Sequence, residues 1–434
     1  MKKLFVLNLL LAGLTCSAIP ASYAASPDSA RYELEKVVML SRHGVRPQTD
    51  TTGLEDATGK KWPKWNVPDG FLTGHGYAGM LVQGAYQLET WRDRGLTVGS
   101  PDACPQPGAV WLWAAPDQRT RATGAALLDG MFPGCGMAVH TTVNQHDPLF
   151  DTIEMGIAQP DEQVVYQQVR ERMGSSQQAQ KNWRKPVADL RQAVCADEGK
   201  SCAFLDKEWQ VKINEKGKAK LSGPVSKGAS IAETIRLQYS ENLPLSEVAF
   251  GHVKTAQDVN NLMALHAAKY DLVSNTMEYA RHGGSLLMRQ LIGAISSGIG
   301  LTNKVNPDVR LQSPLVIFVG HDSNISQIQT MLKFNWQLPV YPRNDIPPGG
   351  SLVMERYRDK QTGQRFIHLT FSARTLDQWR YLSPLSEQHP LPEAEFNNAD
   401  CHHTAVGELC PLNTFVKLAE KNLVDDGKGL VVFQ

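Results

Sequence analysis

Short unbroken runs of apolar residues, separated by stretches with helical spacing, set the pattern of this chain. Val37-Val38-Met39-Leu40, residues 109–115 and Leu315-Val316-Ile317-Phe318-Val319 are each too short for a stable helix. Their continuity predicts strands buried on both faces. Residues 60–76 are rich in Trp, Pro and Gly and read as an irregular loop, while residues 77–94 carry apolar side chains at helical spacing. After the second strand, Asp117 is placed to cap a helix beginning Gln118-Arg119-Thr120-Arg121. From about residue 159 to 284 the spacing is helical, as in 231–241 and 256–281, with few strand signals. Strand and helix alternate again at 287–299 and 314–320, and residues 351–358 and 365–373 form an expected antiparallel hairpin. The prediction is an α/β core, residues 25–158 and 285–434, interrupted by a mostly helical insertion, 159–284.

The first 24 residues change the picture. Lys2-Lys3, an apolar run over 4–14 and the small pair Ser22 and Ala24 predict a signal peptide and a periplasmic location. Cys16 raises a lipoprotein reading, but Gly13-Leu14-Thr15 before it is a poor processing site. No later stretch approaches the apolar length of a membrane-spanning helix. The 434 residues balance 44 basic against 44 acidic side chains, and loss of Lys2 and Lys3 leaves a slight acidic excess. Such neutrality argues against nucleic acid or an anionic membrane as partner.

Six cysteines follow the leader, and an even count in an exported chain suggests disulfides. Sequence proximity favours Cys195–Cys202 and Cys401–Cys410, leaving Cys104–Cys135, among many possible connectivities. The competing reading is a metal site made from Cys401, His402, His403 and Cys410.

The candidate chemistry sits at the ends of the three expected strands. Arg42-His43-Gly44-Val45-Arg46 follows the first, Arg119 and Arg121 follow the second, and His321-Asp322 follows the third. Strand carboxyl ends are where α/β folds bind ligands, and the planar fork of arginine suits phosphate or carboxylate. An imidazole between guanidinium groups resists protonation and can act as a nucleophile. An aspartic acid beside bound phosphate could protonate a leaving alcohol.

These residues resemble the histidine acid phosphatases, the branch of the phosphoglycerate-mutase-like superfamily with an R-H-G-x-R-x-P signature. Arg42-His43-Gly44-Val45-Arg46-Pro47 fits except that members often have a further residue before the proline. Gly320-His321-Asp322 resembles the second motif and Gln118-Arg119-Thr120 the intervening arginine segment. The likeness extends to Trp62-Pro63, the Pro347-Pro348-Gly349-Gly350 turn and the six cysteines. Its spacing is similar to that of the bacterial periplasmic phytases and glucose-1-phosphatases. The resemblance implies a phosphoglycerate-mutase-like α/β core with helices on both faces of the sheet, and no metal or other cofactor. It implies that His43 is the nucleophile, that Arg42, Arg46, Arg119 and His321 bind phosphate, and that Asp322 is the proton donor. Arg121 reads as supporting or structural.

The substrate class follows less directly. Gly44-Val45 resembles the phytases, whereas the 195–202 segment, Ser222-Gly223-Pro224, Leu237-Gln238-Tyr239 and His321-Asp322-Ser323-Asn324 look more like glucose-1-phosphatase. Thr49 and Asp50 stand where phytases often have a lysine, and an acidic Asp50 would repel a highly anionic substrate. The expectation is therefore an acid phosphatase acting on small phosphate monoesters, both sugar and inositol phosphates. A dedicated phytase is the close alternative, and a non-catalytic phosphate-ester-binding protein the alternative of another class. A phosphoglycerate mutase fits poorly with an exported, cysteine-paired chain. Oligomeric state is left open.

Overall fold

The computed structural model describes residues 29–100, 102–196, 201–215, 218–300 and 308–434. The expected signal peptide, with Cys16, lies outside them. The first strand, β1 (Tyr32–Arg42), is followed by α1 (Thr51–Thr58), α2 (Gly74–Asp93), β2 (Val110–Ala114), α3 (Gln118–Met131) and β3 (His140–Thr141). Helix α1 was not expected, because Thr51-Thr52-Gly53 is a weak helix former. Asp50 enables it by accepting a hydrogen bond from Gly53 N at 2.8 Å.

The middle segment contains α4 (Glu162–Met173), α5 (Ser176–Asn182), α6 (Arg184–Val194), the hairpin β4 (Gln210–Ile213) and β5 (Ala219–Ser222), then α7 (Val225–Ser240), α8 (Ala256–Leu262) and α9 (Ala264–Lys269). A single π-helical turn, Tyr270–Ser274, leads into α10 (Met277–Ile295). The boundary expected at 284/285 thus falls inside a helix. Gly283 and Gly284 let α10 approach its neighbour α11 (Asp322–Leu332). A Cβ on Gly283 would lie 2.2 Å from Gln327 Nε2.

The chain then runs through β6 (Leu315–Gly320), α11 (Asp322–Leu332), β7 (Ser351–Asp359), β8 (Arg365–Ser372), α12 (Leu376–Arg380), β9 (Glu393–Glu395), β10 (His402–Thr404), β11 (Gly407–Pro411) and α13 (Leu412–Glu420). Nine strands form one sheet in the order β10-β11-β8-β7-β1-β6-β2-β3, with β9 paired to β8. The half from β1 through β6 and β2 to β3 is parallel, and the half beyond β7 is antiparallel. The expected hairpin is β7–β8.

Alternate residues of the central strands serve different cores. Val38, Leu40, Val316 and Phe318 join the apolar cluster that extends into α6, α7 and α10. Val37, Met39, Ile317 and Val319 join the opposite cluster beneath α2 and α3. Helices therefore cover both faces of the sheet, as expected, and this explains why the central strands lack polar alternation. The middle helices share the first core with the sheet. The three disulfides are Cys104–Cys135, Cys195–Cys202 and Cys401–Cys410. Bonding of Cys401 to Cys410 removes the thiolates that the metal reading required. No helix among the described residues is long and apolar enough to cross a membrane.

Candidate active site

Parallel pairing of β1 with β6 brings the two histidine segments together. Arg42 is in register with Gly320, so His43 and His321 emerge side by side from neighbouring strand ends. Their rings meet edge to face at 5.9 Å between centroids, and His43 N donates to Gly320 O at 3.1 Å. Strand β2 lies on the other side of β6, and its end leads through Asp117 into α3, which carries Arg119 in its first turn.

His43 is buried, and its Nδ1 lies 2.8 Å from Gly44 O. A carbonyl can only accept, so Nδ1 carries the proton and Nε2 keeps its lone pair. Burial, then Arg46, Arg42, Arg119 and His321, push the imidazole well below its ordinary value, so it is neutral. The backbone leaving His43 needs glycine. A Cβ on Gly44 would sit 2.9 Å from Met80 Cγ and 3.1 Å from Gly76 O, blocking the approach of α2. Behind it, Gly349 N of the Pro-Pro-Gly-Gly turn donates to His43 O at 3.0 Å.

Arg42 is fully buried and held on three sides. It donates to Ile346 O at 2.6 Å and Glu233 Oε1 at 2.5 Å, with Asp322 Oδ2 at 3.4 Å. Arg46 donates to Pro47 O at 2.8 Å, and burial followed by repulsion from Arg42 lowers it to about 10. The buried Nε groups of Arg42, Arg46 and Arg119 find no hydrogen-bond acceptor among the described residues. Three unsatisfied guanidinium donors around one neutral imidazole match an oxyanion with several acceptor oxygens.

Asp117 departs from expectation. It occupies the N-cap position but makes no side-chain capping bond. Its carboxylate accepts from His321 Nε2 at 2.9 Å and pairs with Arg119 at 2.9 Å. The His321 hydrogen bond, aided by Arg119, holds it down to about 2. A charged partner outcompetes a backbone amide for this carboxylate. Arg121, one turn on, is exposed.

Asp322 opens α11 and accepts from Ser323 N at 2.9 Å. Burial pushes its carboxyl up, but Arg42 outweighs that and holds it below the usual carboxylate range. Thr49 and Asp50 are both exposed on the rim of the same cavity. Asp50 is turned into the cap of α1 and stands 3.9 Å from Lys227, so its charge is matched rather than presented as the repulsive group expected.

The geometry has its counterpart in known proteins. A family model described as the histidine phosphatase superfamily (branch 2) matches residues 33–372. The chain belongs to this family. Like its relatives, this histidine phosphatase is a phosphoric monoester hydrolase. It is 31% identical over 406 residues to Phytase AppA of Escherichia coli, covering 90% of this chain and 92% of that one. It is 28% identical over 393 residues to a Glucose-1-phosphatase of Salmonella typhimurium, covering 88% and 91%. The solved structure of Klebsiella sp ASR1 phytase matches with a TM-score of 0.85 at 37% identity, over 93% of this chain and 98% of that one. The apo form of Hafnia alvei phytase gives 0.81 at 34%, over 92% and 98%.

The histidine phosphatase site also uses residues from the middle helices that sequence reasoning missed. Glu233 of α7 joins Arg42 to Arg236, and Arg236 continues to Asp345. His266 of α9 lies 3.9 Å from Glu233 and 3.8 Å from Asp345. Burial raises Glu233, but Arg236 and Arg42 hold it well below its ordinary value. Burial, then the Asp322 carboxylate, pushes the Tyr270 hydroxyl well above its ordinary value. The available signal was Glu233 and Arg236, two charges standing in the mainly apolar Ile231-to-Leu237 stretch of a buried helix.

Proposed function

We propose that this histidine phosphatase hydrolyses sugar and inositol phosphate monoesters through a phosphohistidine at His43. The carrying observation is the neutral His43 ring, pinned through Nδ1, beside three guanidinium groups with unsatisfied Nε donors. Arg42, Arg46, Arg119 and His321 bind the phosphoryl oxygens, displacing Asp117 from its contacts. Nε2 of His43 forms a bond to phosphorus as the ester P–O bond breaks, and the leaving oxygen takes the proton of Asp322. Water then attacks phosphorus, the P–N bond breaks, and the water proton passes to the Asp322 carboxylate. Phosphate bound at Arg42 offsets the cation that holds Asp322 ionised, so the carboxyl carries its proton in the complex and activity falls toward neutral pH.

Relatives named as phytase and as glucose-1-phosphatase support the two substrate classes. The leader-like first 24 residues and the three disulfides support a periplasmic location. Residues 25–158 and 285–434 serve as the catalytic unit, and the 159–284 insertion supplies Glu233 and the outer wall of the cavity. The test is a rapid acid-free quench during turnover of p-nitrophenyl phosphate, followed by mass spectrometry of the His43 peptide. An alkali-stable phosphate on that peptide, absent in His43→Ala, is expected. Turnover by His43→Ala at the wild-type rate would sink the assignment, and an inactive wild type across acid pH would favour the binding-protein alternative.

A further inference from the structure

A second cavity lies on the far side of the π-helical turn from the reaction. Tyr270 of that turn lines the active-site space, whereas Asp271 and Leu272 line a separate cavity of about 620 Å³. No described residue lines both, so the turn is the partition between them. The second cavity has the volume of a small-ligand pocket, and single π-helical turns recur at functional sites. Helix α11 runs from one space to the other. Asp322 opens it in the active site, and Lys333, its C-cap, lines the second cavity.

Polar groups in this cavity are left unspent. Asn275 is nine-tenths buried and its Oδ1 accepts from Ser326 Oγ at 2.5 Å, but its Nδ2 has no acceptor among the described residues. Arg172, Lys333 and Arg343 line the cavity against a single carboxylate, Asp271. Arg172 donates to Asp271 O at 2.7 Å. The exposed side chains of Lys333 and Arg343 form no hydrogen bond or salt bridge among the described residues. Lys333 also has a φ of 54°, a left-handed conformation that favours glycine. A lysine in the preceding turn would serve the helix dipole without that strain, so the strain is tied to the place where the charge stands. Trp183, stacked on Trp209 at 4.7 Å, supplies an aromatic wall.

We propose that this cavity binds a hydroxylated ring carrying one anionic group, a carboxylate or a phosphate-like oxyanion, apart from the reacting ester. Lys333 and Arg343 take the anion, Asn275 Nδ2 donates to a ring hydroxyl, and Trp183 covers the C–H face of the ring. Arg172 is committed to Asp271, so two cations remain, enough for one bound anionic group. The Asp271 carboxylate disfavours a polyanion.

The experiment is titration calorimetry with glucuronate, glucose 6-sulfate and glucose on wild type, Lys333→Gly/Arg343→Gln and Asn275→Asp. Wild type is expected to bind at least one of the two anions, and glucose about tenfold more weakly or not at all. Whichever anion binds identifies the charged group. The double variant should raise its Kd about tenfold or more. Asn275→Asp keeps the bond from Ser326 but replaces the free donor with an anion, and should weaken binding as much. Turnover of p-nitrophenyl phosphate by the double variant should stay within about twofold of wild type in kcat/KM. Lys333→Gly alone should raise Tm, because glycine relaxes the left-handed cap. Failure of wild type to bind either anion would overturn the site. A Kd unchanged in the double variant would place the anion in the arginine clamp of the active site and overturn it as well. A Tm that falls in Lys333→Gly would show that the lysine serves the fold, and the ligand reading would go with it.

Discussion

Two buried histidines on the same sheet are held in different protonation states. His43, at the carboxyl end of β1, is surrounded by Arg42, Arg46 and Arg119 and is kept neutral. His368, in the middle of β8, lies between Glu355 at 3.0 Å and Glu395 at 3.2 Å. Burial lowers His368, but the two glutamates outweigh it and raise the imidazole to about 9. Glu355 is itself bridged to Arg94 at 2.9 Å and is pushed down to about 2 by Arg94 and His368 against burial. Each ring nitrogen of His368 meets a glutamate, and the cluster holds strands β7, β8 and β9 together. The first cluster has cations to spare and donors unsatisfied, and it waits for an anion. The side chain is the same; the neighbours decide whether it holds its proton.

The largest effect should come from breaking the arginine side of this contrast. Arg42→Met leaves Glu233 and Asp322 without their shared cation. We expect kcat/KM to drop by about 10³ or more and stability by about 3 kcal/mol, checked by steady-state kinetics and urea denaturation. Next, Asp322→Asn should slow glucose 1-phosphate hydrolysis by about 10²–10⁴. Loss on p-nitrophenyl phosphate should be much smaller, because nitrophenolate leaves without a proton. Equal losses on both substrates would remove Asp322 as the acid.

The stability effects are smaller and opposite in sign. His368 has its folded pKa raised, so its contribution is fully present below the unfolded value near 6.5 and disappears as pH rises through about 9. His368→Asn should lower stability at pH 6 by about 2 kcal/mol and flatten the fall between pH 6.5 and 9, leaving the rate per folded molecule close to wild type. His43 has its folded pKa depressed, so the folded state loses stability as pH falls below about 6.5. His43→Ala should therefore gain about 2 kcal/mol relative to wild type between pH 7 and 5, read as a change in Tm difference across that range. A Tm difference that is the same at both pH values would show that His43 is not held neutral by its arginines.

Much of this site was legible in one dimension. Unbroken apolar runs ending in Arg42-His43, Arg119 and His321-Asp322 announce strand ends, because a strand buried on both faces has nowhere else to place charge. The six cysteines also pair as proximity suggested. Other features were not legible. The network Arg42–Glu233–Arg236–Asp345 joins residues that only the fold makes neighbours, and nothing local marks Glu233 as the partner of Arg42. Helix α1 went unread because its start depends on the Asp50 cap, and α10 runs on through Gly283-Gly284 because close packing on α11 overrides the weak helix propensity of glycine.

Residue type and apolar pattern alone mark the candidate reacting groups, their places at strand ends and the family of chemistry. Packing settles which charges are spent on each other and which remain for a substrate. Asp117 turns to His321 and Arg119, Asp50 turns to α1 and Lys227, and Glu233 arrives from the inserted helices to balance Arg42. Electrostatic matching depends on distances of a few ångströms between residues far apart in the chain, and those distances exist only after packing.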